Sequence, residues 1–170
     1  ATEVEFGFIY DLDKMTYGEF VDLQKYINNI QDLHKTMAVL YRPISHSKKE
    51  FYRIDDYEGS SKYSNVMKDA PLNVALGAMV FFLSFNDRVK DSYSTLFPSE
   101  DNERGQNTSR QASFGRKWGF FQSIYTLAKG DVTMYEKVSS SPLHTCLMTL
   151  EYELDKNALE IATAKAAQRK

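Results

Sequence analysis

Between Pro71 and Phe97 the chain reads PLNVALGAMVFFLSFNDRVKDSYSTLF, the longest apolar-periodic stretch it contains. Pro71 suits the first turn of a helix, where its missing N–H costs nothing. Val74, Met79, Phe82, Leu83, Val89, Tyr93 and Leu96 then recur at helical spacing, and the first half is apolar on nearly every side. A helix of that kind is expected at the centre of a core, with the rest of the chain wrapped around it. Gly77 inside it predicts close approach of a neighbour.

The flanking segments supply shorter elements. Val4, Phe6, Phe8 and Tyr10 alternate loosely, which allows a short strand or an extended arm. Thr16-Tyr17-Gly18-Glu19 is a capping box, since Thr16 can accept from the Glu19 backbone while Glu19 reaches back. Phe20, Leu23, Tyr26 and Ile27 continue that helix. A second helix is predicted over 29–41, ended by Pro43, which disfavours helical backbone at Arg42. Residues 44–49 read as polar and flexible, 51–54 as a short strand, and 61–68 as a short helix. Arg116–Lys129 reads as a helix stopped at Gly130. Asp131 caps a short helix carrying Val132, Tyr135 and Val138. Ser141-Pro142 opens a final helix with a stripe of Leu143, Leu147, Leu150, Leu154 and Ile161, ending in the basic, Ala-rich ATAKAAQRK.

These elements predict a mostly α fold: a single compact helical domain with a minor β-hairpin or extended arm. Its parts are an N-terminal helical core with the arm (1–97), a polar loop (98–115), and C-terminal helices (116–170) packed on the same domain. The loop, PSEDNERGQNTSRQASFG, is almost free of aliphatic residues. Its Arg104, Arg110 and neighbouring Arg116 follow three acids, so a solvated loop is the default reading. The Asn107-Thr108-Ser109 sequon reads as chance.

Composition excludes several function classes. The 21 basic residues against 23 acidic ones give a net charge of -2, without the broad positive footprint of a nucleic-acid binder. The unbroken apolar run Ala78–Leu83 is far shorter than a bilayer span needs, so no membrane partner is expected. The single cysteine, Cys146, cannot form an internal disulfide, which fits a reducing compartment. ATEVEFGF has no basic n-region and does not read as a secretory signal. Ala1 fits removal of an initiator Met, and fits proteolytic maturation equally.

No catalytic, cofactor-binding or metal-ligating set is expected. His144 and Cys146 lie two apart on a helix and so diverge, and no second pair has zinc-like spacing. Cys146 reads better as a small buried hydrophobe. Asp11/Asp13, Asp55/Asp56 and Glu100/Asp101 offer carboxylates, each in a turn or cap context where Asp is common for local backbone reasons. The candidate functional residues are instead the large aromatics Phe81, Phe82, Trp118, Phe120 and Phe121, as anchors for a protein partner. The competing reading for each is burial in the core, favoured for Phe81-Phe82 and, less strongly, for the Trp118 cluster.

Three stretches carry a resemblance: Met15-Thr16-Tyr17-Gly18-Glu19-Phe20-Val21-Asp22-Leu23; Leu33-His34-Lys35-Thr36-Met37-Ala38-Val39-Leu40-Tyr41-Arg42-Pro43; and Met67-Lys68-Asp69-Ala70-Pro71-Leu72 leading to Gly77 and Phe81-Phe82. In this order they resemble the tail assembly chaperones of tailed bacteriophages, best over residues 15–85. Lys117-Trp118-Gly119 and Leu127-Ala128-Lys129-Gly130-Asp131-Val132 are similar to phage structural-module proteins. The resemblance implies a non-enzymatic helical protein of the host cytoplasm that binds the tape-measure protein and recruits tail-tube subunits; it defines no individual contact residue. The alternative is a stoichiometric virion protein of the neck, connector or head–tail junction, with connector subunits or further copies of itself as partners. A small phage enzyme would need a pocket with perturbed carboxylates.

Overall fold

The computed structural model describes residues 4–48, 51–97, 114–115 and 117–168. The sequon, Glu100/Asp101, Arg104, Arg110, Arg116 and nearly all of the polar loop lie outside the described residues. Two compact units divide the chain, one up to Asn86 and the other from Asp87. The division falls inside the helix that follows Pro71.

In the first unit, α1 (Tyr17–Tyr26) starts at the capping box: Thr16 Oγ1 accepts from the Glu19 N–H at 3.3 Å, and Glu19 Oε2 accepts from the Thr16 N–H at 2.6 Å. A 3-10 turn over Ile30–Asp32 leads into α2 (Leu33–Leu40), which stops just short of Arg42-Pro43 as the proline predicts. Tyr17, Phe20 and Leu23 of α1 and Met37, Val39 and Leu40 of α2 form the core.

The β component is a three-stranded antiparallel sheet rather than a hairpin or free arm, in the order β1 (Phe6–Phe8), β2 (Tyr41–Lys48), β3 (Phe51–Ile54). The segment read as polar and flexible is most of its central strand. A bulge between Ile44 and His46, with Ser45 Oγ donating to the Arg53 carbonyl at 3.2 Å, lets a Pro-containing strand pair on both sides. The predicted 61–68 helix is instead two 3-10 turns, Ser60–Lys62 and Val66–Asp69.

The dominant helix, α3, spans Leu72–Ser92, ending before Phe97. It is not a helix buried all round. Ala75, Ala78, Phe82, Phe85, Asn86 and Val89 form one buried stripe at i, i+3, i+7 spacing, and most of the remaining apolar residues are exposed. In the first unit, two short helices and a small sheet offer too little surface to enclose its share of the helix, residues 72–86 and about 22 Å long, on every side. Among the described residues a Cβ at Gly77 would meet nothing within 4 Å, so the close approach read from this glycine is not seen there. By length and composition α3 is long and apolar enough to cross a membrane, with a mean hydropathy of 1.2 over its best window and 33% of that window buried. Here it is fastened to α1 by Gln24 Nε2, which donates to the buried Asn86 Oδ1 at 2.7 Å.

In the second unit the predicted 116–129 helix is interrupted at Gly119 (φ 45°), and α4 covers Phe121–Leu127. Gly130 (φ 76°) donates back to the Tyr125 carbonyl at 2.9 Å and ends that helix. Asp131 caps a 3-10 turn, Val132–Met134, that runs into α5 (Tyr135–Ser139). The last helix, α6, spans Leu143–Ala167 with Pro142, not Ser141, at its N-cap; the Ser141 hydroxyl donates to the Lys137 carbonyl at 2.7 Å instead. Ala128, Val138, Leu143, Cys146, Leu147 and Leu150 are buried.

Candidate protein-binding surface

Leu72, Leu76, Val80 and Leu83 recur at i, i+4, i+8 and i+11, so they share one face of α3 beside its buried stripe. All four are exposed. Leu72 also lines an open cleft of about 230 Å³, walled by Ile30, Leu33 and Met37 on one side and by Met67 and Ala75 on the other. His34 and Lys68 bring polar atoms to the same cleft. The exposed stripe and cleft together make an apolar track with a polar margin, the form that receives an amphipathic helix.

The five candidate aromatics separate by position. Adjacent residues on a helix point about 100° apart, so Phe81 is 59% exposed while Phe82 is fully buried. Phe82 packs near Phe85, with ring centroids 6.0 Å apart, and belongs to the core rather than to a binding surface. Phe81 leans on Phe8, whose ring in turn meets Tyr41, at 5.7 and 5.1 Å. In the second unit, Trp118 sits between Phe114 (6.5 Å) and Phe121 (5.6 Å), and Phe121 meets Tyr135 edge-on at 5.7 Å. Lys117 Nζ lies 5.0 Å from the Trp118 ring centre. Trp118 and Phe121 remain exposed within this cluster, as does Tyr125 further along α4, whereas Phe120 is half-buried near Phe97. The cluster is neither closed core nor free surface, and it leaves aromatic faces available.

The most elaborate polar arrangement was not legible in the sequence. Arg42 Nη1 pairs with Glu19 Oε1 at 2.7 Å, with both side chains under 10% exposed. Arg42 also donates to the carbonyls of Val39 (2.8 Å) and Asp55 (2.7 Å), and its guanidinium lies 5.5 Å from the Tyr57 ring centre. The Tyr57 hydroxyl donates to Asp22 Oδ2 at 2.7 Å; burial first, and then this bond, push the phenol well above its ordinary range. Arg42 is committed to structure: it joins α1, the end of α2 and the chain after β3. The sequence marks Glu19 only as a cap and Arg42 only as the residue before a proline. A lone Arg in a run of Tyr, Pro and Ile was the available signal.

Cys146 is buried with its sulfur 3.9 Å from the Val138 carbonyl, and burial pushes its thiol up to about 11. That is the reverse of what a nucleophile or a metal ligand requires. His144 Nδ1 is 2.9 Å from the Tyr93 hydroxyl. Asp11 caps a 3-10 turn through the Asp13 N–H, Asp55 accepts from Tyr63 at 3.3 Å, and Asp56 faces Arg53 at 3.8 Å. Among the described residues no three His, Cys, Asp or Glu side chains are grouped to hold a metal ion. Compared with protein families, characterised proteins and solved structures, the chain has no match in any of the three.

Proposed function

We propose that this is a non-enzymatic protein-binding factor of phage morphogenesis, a tail assembly chaperone that holds a helix of the tape-measure protein along α3 and helps recruit tail-tube subunits. The observation that carries the reading is the exposed Leu72, Leu76, Val80 and Leu83 stripe continuing into the cleft at Met37 and Met67. An elongated helical partner presents apolar residues at the same spacing, and helix-in-groove recognition needs a track of this kind. The resemblance of residues 15–85 supplies the partner's identity. Trp118 and Phe121 are a second contact surface, suited to another assembly protein.

The test is co-expression with the tape-measure protein, followed by co-purification and by counting copies in purified virions. Leu76→Asp with Val80→Asp is expected to abolish co-purification while helix content stays unchanged, because both side chains are exposed. Retention of the complex by that variant would overturn the site. A fixed copy number in finished particles would replace the chaperone by the neck, connector or head–tail junction alternative.

A further inference from the structure

The last helix outruns the unit that covers it. Its seam begins with Leu143, Leu147 and Leu150, all buried, and continues at the same 4-3 spacing through Leu154, Asn157, Ile161 and Ala164. From Leu154 to Gln168 every residue is exposed, with Leu154 at 45% and Ile161 at 57%. Fourteen residues of helix, Leu154–Ala167, exposed on every side among the described residues, are only marginally stable in water. The regular seam along them is the pattern of a helix made for another helix.

The charge pattern identifies the partner. Residues 151–156 carry three acids (Glu151, Glu153, Asp155) and one base (Lys156); residues 160–170 carry three bases (Lys165, Arg169, Lys170) and one acid (Glu160). Such a segment is complementary to itself when inverted. We propose that α6 pairs antiparallel with α6 of a second copy of this chain through residues 151–168. Leu154 then meets the second copy's Ala164, and Asn157 its Ile161. Glu151 and Lys165 lie on the same edge of the seam, so the two-fold axis brings each opposite the other twice. Glu160 against its own counterpart is the one like-charge pairing near the axis. A parallel pair would set both acidic halves side by side.

Sedimentation velocity on the full chain tests this. The wild type is expected to show a concentration-dependent monomer–dimer equilibrium, and Leu154→Glu with Ile161→Glu to be monomeric throughout. Glu151→Lys alone and Lys165→Glu alone should each weaken the dimer on the order of tenfold or more, and the double exchange should restore it. Residues 151 and 165 are about 21 Å apart along one helix, so rescue reports a contact between chains. A wild type that stays monomeric, or a dimer indifferent to both single exchanges, would overturn the proposal.

Discussion

Removing the Arg42 side chain gives the sharpest reading of how the first unit is held. In Arg42→Met, Glu19 keeps its bonds from Thr16 but loses the one cation paired with it among the described residues, while remaining 3% exposed. The carbonyls of Val39 and Asp55 lose their donor as well. Breaking a buried pair by deleting one partner costs about 3–5 kcal/mol, mostly from the uncompensated charge. With a urea m-value of about 1–3 kcal/mol/M, the midpoint followed by far-ultraviolet circular dichroism should fall by at least about 1 M. Glu19→Gln with Arg42→Met then removes the stranded charge and keeps a residue that can still close the capping box. That double variant should recover most of the loss, leaving about 1–2 kcal/mol for the two carbonyl bonds. A cost for Arg42→Met below about 1 kcal/mol, or a double variant no better than the single one, would refute the claim that the pair is a buried ionic latch.

Two further expectations follow from contacts elsewhere. A Cβ at Gly7 would lie 2.6 Å from Tyr52 Cε2 and 3.0 Å from Ile54 Cγ2, with the Tyr52 ring tethered by its hydroxyl to the Phe8 carbonyl at 2.8 Å. Gly7→Ala should therefore cost about 1–3 kcal/mol in urea titrations, and much less in a Tyr52→Ala background. With its thiol near 11 in the folded chain, Cys146 should react with a disulfide reagent at pH 8 only as fast as the chain opens. Because the unfolded thiol ionises first, its contribution to stability is whole below pH 9 and declines as the pH rises toward 11. The stability difference between wild type and Cys146→Val should shift in that direction, and a flat difference would place the thiol in a wetter site.

Local chemistry was legible because it needs only neighbours in sequence. The Thr16–Glu19 box, the end of α2 before Pro43, the Asp131 cap and the Leu143-Leu147-Leu150 stripe each follow from residues within one or two turns. β2 was illegible because its reasons are distant. Pro43 and the run Ser45-His46-Ser47-Lys48 look like a loop until Phe6 to Phe8 on one side and Phe51 to Ile54 on the other supply partners, and a bulge absorbs the extra residue. The Arg42–Glu19 pair is the same case, 23 positions apart in the chain and meeting only after α1, α2 and the sheet have come together.

The same distinction explains the candidate surface. Periodicity fixes that α3 is a helix and how its apolar residues are spaced, but burial on a helix is decided by how much protein is there to cover it. An apolar circumference looks like a core helix whether the neighbours form a full shell or a half shell. Here they form half, so Phe82 and Phe85 are enclosed while Phe81, Val80 and Leu76 stay in water. Keeping those residues exposed costs about 25 cal/mol for every Å² of apolar surface that a partner would otherwise cover. A partner helix that covers the stripe recovers this free energy without rearranging the buried face. The stripe on α3 and the seam on α6 thus share one property: each is apolar beyond what the described residues around it cover, at a spacing that a partner helix could match.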